Sequence, residues 1–316
     1  MIPEIITINL DLPARERWQF LADFKAELNA LLGCYLNDLA GADFLFAEIG
    51  EYKHELIAEE YLEEIDCIAA LSDYNPDEVL LANLYYDALK FYLGCTAFAV
   101  ATEDQILHAR NLDWWTDNNL LSKHSKIFEF TKDGQVIFKT VGWPGFIGAL
   151  SGVKPGYFSL TLNAVSSKDP VEIATPVSFL LRDVLAGANS YVEAKRQLET
   201  TTIASDCLLL LAGTEATEMA VIERTPKRSA VRRPDSDFIA VTNDYKLIKN
   251  ESFGGNELQA TSCGRFERAE ELLRDQIPEH AAACMKILQD DRIMMGITVQ
   301  QMVFEVRSGK IDLIKT

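Results

Sequence analysis

Long apolar runs, paired cysteines and an excess of basic residues are all missing from this 316-residue chain. No stretch approaches the ~20 apolar residues of a membrane-spanning helix, so an integral membrane protein is not expected. The 6 cysteines (Cys34, Cys67, Cys95, Cys207, Cys263 and Cys284) form no CxxC pair, which argues against a zinc ribbon and against a disulfide scaffold. The 4 histidines (His54, His108, His124 and His280) show no HExxH or other ligand spacing, and neither a metal nor a cofactor is expected. A net charge of −18 opposes encounter with nucleic acid or an anionic membrane, and leaves open a weak hydrophobic contact with a lipid surface. The chain opens Met1-Ile2-Pro3-Glu4 without a basic segment before an apolar run. A cytoplasmic location is therefore the default expectation, with a lysosomal or secreted one if an upstream signal has been removed.

What is present is the balance of a globular protein, 48% apolar and 25% charged, with enough apolar residues for a sizeable core. From Pro13 to about Leu93 the periodicity is helical: Trp18, Leu21, Phe24, Leu28, Leu31 and Leu32 recur at helical spacing, and Pro76-Asp77 opens a second stretch running 79–92. Past Gly94 the pattern changes. Segments 128–131 and 136–140 flank Asp133-Gly134 as a hairpin, and 157–163 alternates as a strand. Helices are predicted near 176–187 and 190–198, strands near 207–212, 218–224 and 238–241, helices at 265–275 and 279–289, and closing strands at 298–306 and 310–314. Such an order points to an α+β layered sandwich preceded by a helical segment, with the division at 1–94 and 95–316.

The change of pattern coincides with Gly94-Cys95-Thr96, and Ala109-Arg110-Asn111-Leu112-Asp113 follows at hairpin distance. A turn at Glu103-Asp104 would pair strands 95–102 and 105–113 and set the Leu112-Asp113 end opposite Cys95. One thiol is then flanked by a cation and an anion. Because side chains alternate along a strand, Arg110 and Asp113 both reach Cys95 only if the strand bulges or ends between them. On residue type alone, a strand cysteine is ordinarily a buried structural thiol.

These residues resemble the start of the catalytic subunit in the acid ceramidase and N-acylethanolamine acid amidase family, N-terminal-nucleophile hydrolases related to choloylglycine hydrolases. The resemblance spans nearly the whole chain: Ile8-Asn9-Leu10-Asp11-Leu12-Pro13 with Arg17-Trp18, Glu78-Val79 through Tyr85-Tyr86-Asp87, and Gly145-Phe146-Ile147-Gly148 through Ser151-Gly152. Lys154-Pro155-Gly156, Phe158 through Asn163, Thr242-Asn243-Asp244-Tyr245 and Arg265-Phe266-Glu267-Arg268-Ala269 complete the order. It implies a four-layer αββα fold and a hydrolase that acts on the amide bond of N-acyl amides, such as a fatty-acid amide, an N-acylethanolamine or a ceramide-like lipid. Cleavage between Gly94 and Cys95 would free an α-amine, roughly 7.7–8.0 in pKa, to serve as general base. Its two fragments would stay associated, and its partner would be a small-molecule substrate.

The same resemblance assigns roles. Cys95 is the nucleophile, forming a thioester, and Arg110 holds and favours its thiolate. Asp113 orients the new amine, Asn163 and Asn243 donate to the substrate carbonyl, and Arg265 closes the polar network with Arg268 as the fallback. Trp114, Trp115, Trp143 and Phe146 are candidates for an acyl groove or for ordinary core. Acyl transfer from the same thioester and a catalytically silent lipid-binding protein are the alternatives. Ala164 departs from the family pattern, which is acidic there in acid ceramidase, so ceramide in particular is not carried over.

Overall fold

In the computed structural model the described residues are 3–39, 52–89, 93–250 and 260–316. Two sheets stack face to face. The larger runs in the order β1 (Ile5–Asn9), β4 (Lys126–Lys132), β5 (Gln135–Gly142), β6 (Ser151–Lys154), β7 (Phe158–Asn163), β8 (Cys207–Ala212), β9 (Met219–Arg224) and β10 (Ser229–Arg232). The smaller runs β11 (Phe238–Val241), β2 (Leu93–Ala101), β3 (Ile106–Trp114), β12 (Thr298–Glu305) and β13 (Lys310–Lys315).

Three apolar seams make this an αββα sandwich. Ala97, Ala99, Leu208, Leu210, Val221 and Ile239 fill the space between the sheets. Phe98, Val100, Leu107 and Val303, from the opposite face of the smaller sheet, pack with Ala269, Leu273, Cys284 and Leu288 of the helices Ser262–Asp275 and Ala281–Leu288. The outer face of the larger sheet meets the helices Lys25–Asp38, Glu59–Leu71, Pro76–Asn83 and Val177–Gly187 through Leu28, Ile68, Val79, Phe128, Leu160 and Leu181. The central strands β2, β3, β7, β8 and β9 are buried on both faces, and their alternate side chains enter different seams.

Several local signals acted as read. Asp133 and Gly134 both take positive φ, 50° and 71°, the turn geometry that joins twisted antiparallel strands. Pro76 opens a helix, and Asn75 and Glu78 cap it with a reciprocal capping box that the sequence reading did not single out. Elsewhere the lead segment differs from an all-helical reading. Ile5–Asn9 pairs in parallel with β4, so residues ahead of Pro13 belong to the larger sheet. The helical stretch expected over 79–92 breaks at Leu84 into Pro76–Asn83 and Tyr85–Leu89, and positions 90–92 lie outside the described residues.

Family-like motifs remote from Cys95 largely tie layers together. Asn83 donates to the Gly145 carbonyl and accepts from Ile147 N–H at 2.7 Å, fixing the glycine-rich loop onto its helix. Lys154 donates to the Ala188 carbonyl at 2.7 Å, beyond the last turn of Val177–Gly187. Trp18 and Leu21 are fully buried, and the Trp18 indole donates to Glu64 at 2.8 Å, so that face packs inward.

Candidate active site

Strand β2 passes through Gly94 and Cys95 without interruption, and β3 pairs Cys95 with Leu112 and Gly94 with Asp113. This is the register expected from the turn. No bulge separates Arg110 from Asp113 on β3; the two simply serve opposite faces of one strand pair. The register slip lies instead on β12, between Thr298 and Gln300, opposite Asp113 and Leu112.

On the inter-sheet face, the Arg110 guanidinium donates to the Cys95 Sγ at 3.3 Å. That guanidinium is fixed by the Leu150 carbonyl at 2.8 Å and by close bonds to Ser151 Oγ and the Leu162 carbonyl. Ser151 and Leu162 come from β6 and β7, which explains why the Ser151-Gly152 and Phe158–Asn163 blocks accompany the hairpin in sequence. Cys95 itself has no exposed surface in the uncut chain.

The opposite face gathers Asp113, Thr96 and Arg265. Arg265 donates to the Cys95 carbonyl at 2.6 Å, to Thr96 Oγ1 at 2.8 Å and to Asn243 Oδ1 at 2.7 Å, and lies 4.0 Å from Asp113 Oδ2. Arg268 is elsewhere, pairing with Asp290 at 2.7 Å, so Arg265 and not the fallback reaches the nucleophile strand. Asp113 accepts from the Thr298 hydroxyl at 2.5 Å through Oδ1, while Oδ2 is buried with no hydrogen-bond partner among the described residues. Burial pushes this carboxyl above its ordinary range, although the Thr298 hydroxyl, Arg265 and Arg110 all pull the other way. Burial likewise lowers the Arg265 guanidinium, against the pull of Asp113 and Cys95.

The two asparagines are held differently from expectation. Asn243 turns its carbonyl, not its amide, toward the nucleophile: Oδ1 accepts the Cys95 N–H at 3.1 Å, and Nδ2 donates to the Ala164 carbonyl at 2.8 Å. Asn163 Nδ2 donates to the carbonyls of Val241 and Thr242 at 3.2 and 3.0 Å, leaving its buried Oδ1 without a partner among the described residues. Both amides are thus engaged with backbone in the uncut chain. Glu223, which the sequence reading did not single out, accepts the N–H groups of Lys246, Leu247 and Ile248 at 2.8, 2.9 and 2.9 Å and so shapes the turn after Asn243. A buried acidic residue inside a strand was the available signal.

The aromatic candidates divide. Trp114, Trp143 and Phe146 are buried, with Trp114 and Trp143 in edge contact at 5.6 Å; they are core. Trp115 is 61% exposed. A half-open apolar cleft lies elsewhere, with a cavity volume of about 160 Å³, between Leu80, Leu84 and Ala88 of the lead segment and Val171, Ile173 and Ala174 of the later chain. Its helical wall reaches Ala88, six residues before Gly94.

A family model for acyl-coenzyme A:6-aminopenicillanic acid acyl-transferase matches residues 100–295. Acid ceramidase of Balaenoptera acutorostrata scammoni is 31% identical over 348 aligned positions, covering 97% of this chain and 84% of that protein. The chain belongs to the acid ceramidase family. Acid ceramidase of Bos taurus matches to the same extent, and that of Homo sapiens is 30% identical over 71% of this chain and 64% of its own length. Among solved structures, a Caenorhabditis elegans N-acylethanolamine-hydrolyzing acid amidase ortholog superposes with a TM-score of 0.61 at 22% identity, over 70% of this chain and 100% of that one. The acid ceramidase family member described here therefore has the N-terminal-nucleophile hydrolase fold, and its two stacked sheets are that fold's inner layers.

Proposed function

We propose that this acid ceramidase family member is a self-processing cysteine amidase that hydrolyses N-acyl amides with a substantial apolar acyl chain. The observation that carries the reading is the division of labour around one peptide: Arg110 on the thiol of Cys95, Asp113 beside Gly94 and Asn243 on the Cys95 nitrogen. Attack of the Cys95 thiol on the Gly94 carbonyl moves the acyl group from nitrogen to sulfur. That shift breaks the C–N bond and frees the Cys95 α-amine; water then cleaves the thioester, releasing a carboxylate at Gly94 and the Cys95 thiol. Since the uncut chain buries Cys95 completely, processing precedes turnover.

In turnover the freed amine takes the thiol proton, and sulfur attacks the substrate amide carbonyl. The tetrahedral intermediate collapses to a thioester as the protonated amine leaves, and water, deprotonated by the α-amine, returns the thiol and a fatty acid. Arg110 stabilises the anionic sulfur. Asn163 and Asn243 supply the oxyanion donors only after their amides exchange backbone carbonyls for the substrate, so we assign Asn243 first to holding the amine nitrogen. Acyl transfer to an amine instead of water is the second reading, favoured by the acyl-transferase name of the matched family model.

The apolar cleft is assigned to the acyl chain, with few polar groups to set orientation. Rate at limiting substrate should rise with acyl length, each buried methylene contributing about 0.8 kcal/mol, and then level off. Ala88→Phe, which fills the cleft, should move that plateau to shorter chains while hydrolysis of the shortest substrates is retained. A fluorogenic N-acyl amide series measures both. Preference for acetyl over long chains would remove the lipid-amide reading, and saturable binding without hydrolysis would indicate a silent binding protein.

A further inference from the structure

Asp113 is anchored through one oxygen, and the other accepts no hydrogen bond among the described residues. The Thr298 hydroxyl donates to Oδ1 at 2.5 Å and itself accepts the Met295 N–H at 3.0 Å, so its orientation is set from both sides. Oδ2 lies on the Gly94 side: a Cβ built on Gly94 would sit 3.3 Å from Oδ2, 3.2 Å from the Asp113 Cβ and 3.4 Å from the Met295 Sδ. A side chain at position 94 would crowd the carboxyl, and glycine lets the two close together. Thr298 owes its place to the register slip on β12, where one extra residue re-aims a side chain at the end of a ladder.

We propose that Thr298 is a positioning residue that occupies Oδ1 of Asp113 and so reserves Oδ2 for the α-amine released on Cys95. The proposal rests on the reading of the chain as a self-processing amidase. With Oδ1 held, the carboxyl has a fixed direction, and the new amine meets two acceptors, Asp113 Oδ2 and Asn243 Oδ1. Thr298 from β12 and Arg265 from the helix Ser262–Asp275 face Asp113, and the charge of Arg110 acts on it from the other face of its own strand; each favours the anion, and burial opposes it. Removal of the hydroxyl shifts that balance toward the protonated acid, which cannot accept at Oδ2 with the same strength.

Purified full-length Thr298→Val, Thr298→Ser and Thr298→Cys are compared with wild type by fragment formation over time and by the pH dependence of kcat/KM on a fluorogenic long-chain N-acyl amide. Thr298→Val should process and turn over about tenfold more slowly, with the acid limb moved upward by about one pH unit. Thr298→Ser should restore both, and Thr298→Cys, a weak donor, should fall between. If the valine variant does not fold, the cysteine variant decides. A wild-type acid limb in the valine or cysteine variant, or a serine variant that behaves like valine, overturns the proposal even if the melting temperature has dropped. A wild type that neither cleaves nor hydrolyses overturns the amidase reading itself, and this proposal with it; an active wild type with unshifted variants removes only Thr298.

Discussion

Asp113→Asn is expected to reduce processing and turnover by on the order of 10²- to 10⁴-fold, the range for a group that controls proton transfer, while the protein stays folded. The stability side follows from the direction of the Asp113 shift. Its folded-state value is raised by burial, so the stability it contributes is present below the ordinary value of 3.8 and lost as pH rises through the folded value. At neutral pH the buried anion is a net cost to the fold, and asparagine removes that cost at nearly constant shape. The variant should therefore melt at or above the wild-type temperature at pH 7 while being inactive. Activity within a few fold of wild type would move the amine-holding role away from Asp113; an unfolded variant would make the carboxylate structural.

Glu64→Ala should have the largest effect on stability, about 3–5 kcal/mol, because it strands a buried guanidinium. Glu64 accepts from Arg182 at 2.6 and 2.7 Å, from Arg17 at 3.1 Å and from Trp18 at 2.8 Å, and Arg182 lies over the rings of Tyr61 and Phe130. Burial alone would raise the Glu64 carboxyl, but Arg182, Trp18 and Arg17 together hold it below 4.5. Its contribution is then present above that value and lost as pH falls through the folded one. In the processed protein Glu64 and Arg182 would belong to different fragments, so the variant's fragments should separate on gel filtration where the wild type's remain together. Glu64→Leu combined with Arg182→Met should recover much of the loss, since an apolar pair carries no stranded charge. A loss below about 1 kcal/mol with fragments still associated would show that the pair does not bind them.

Much of this architecture was legible because it is written in local periods. The Asp133-Gly134 turn, the alternation through 157–163 and the exact register of the Cys95 hairpin each follow from two or three neighbouring residues. Harder to read were short elements whose partners are distant: Ile5–Asn9 is a strand because β4 lies beside it, and Ser229–Arg232 because β9 does. The site shows the same division. Cys95, Arg110 and Asp113 declare themselves through hairpin spacing, whereas Arg265 enters from a helix 170 residues away in sequence from Cys95 and was placed by resemblance alone. Asn243 was placed near the nucleophile by the same means, but its orientation depends on the Cys95 N–H and the Arg265 guanidinium competing for one oxygen, which no local pattern encodes. Thr298 gave no signal, because a bulge on a neighbouring strand brings it to Asp113. The aromatics after the hairpin stayed open between two readings for a related reason: large rings serve a core and a groove equally well, and only packing distinguishes them.

The central claim is that Cys95 cuts its own chain and becomes an N-terminal nucleophile. Intact mass with N-terminal sequencing of the purified protein, before and after prolonged incubation over a range of pH, tests it most directly. Two fragments are predicted, one ending at Gly94 and one beginning at Cys95, with amide hydrolysis appearing in step with them, and a single uncut, inactive chain for Cys95→Ala. Cleavage that persists in Cys95→Ala, or full activity from an uncut wild-type chain, would contradict the account.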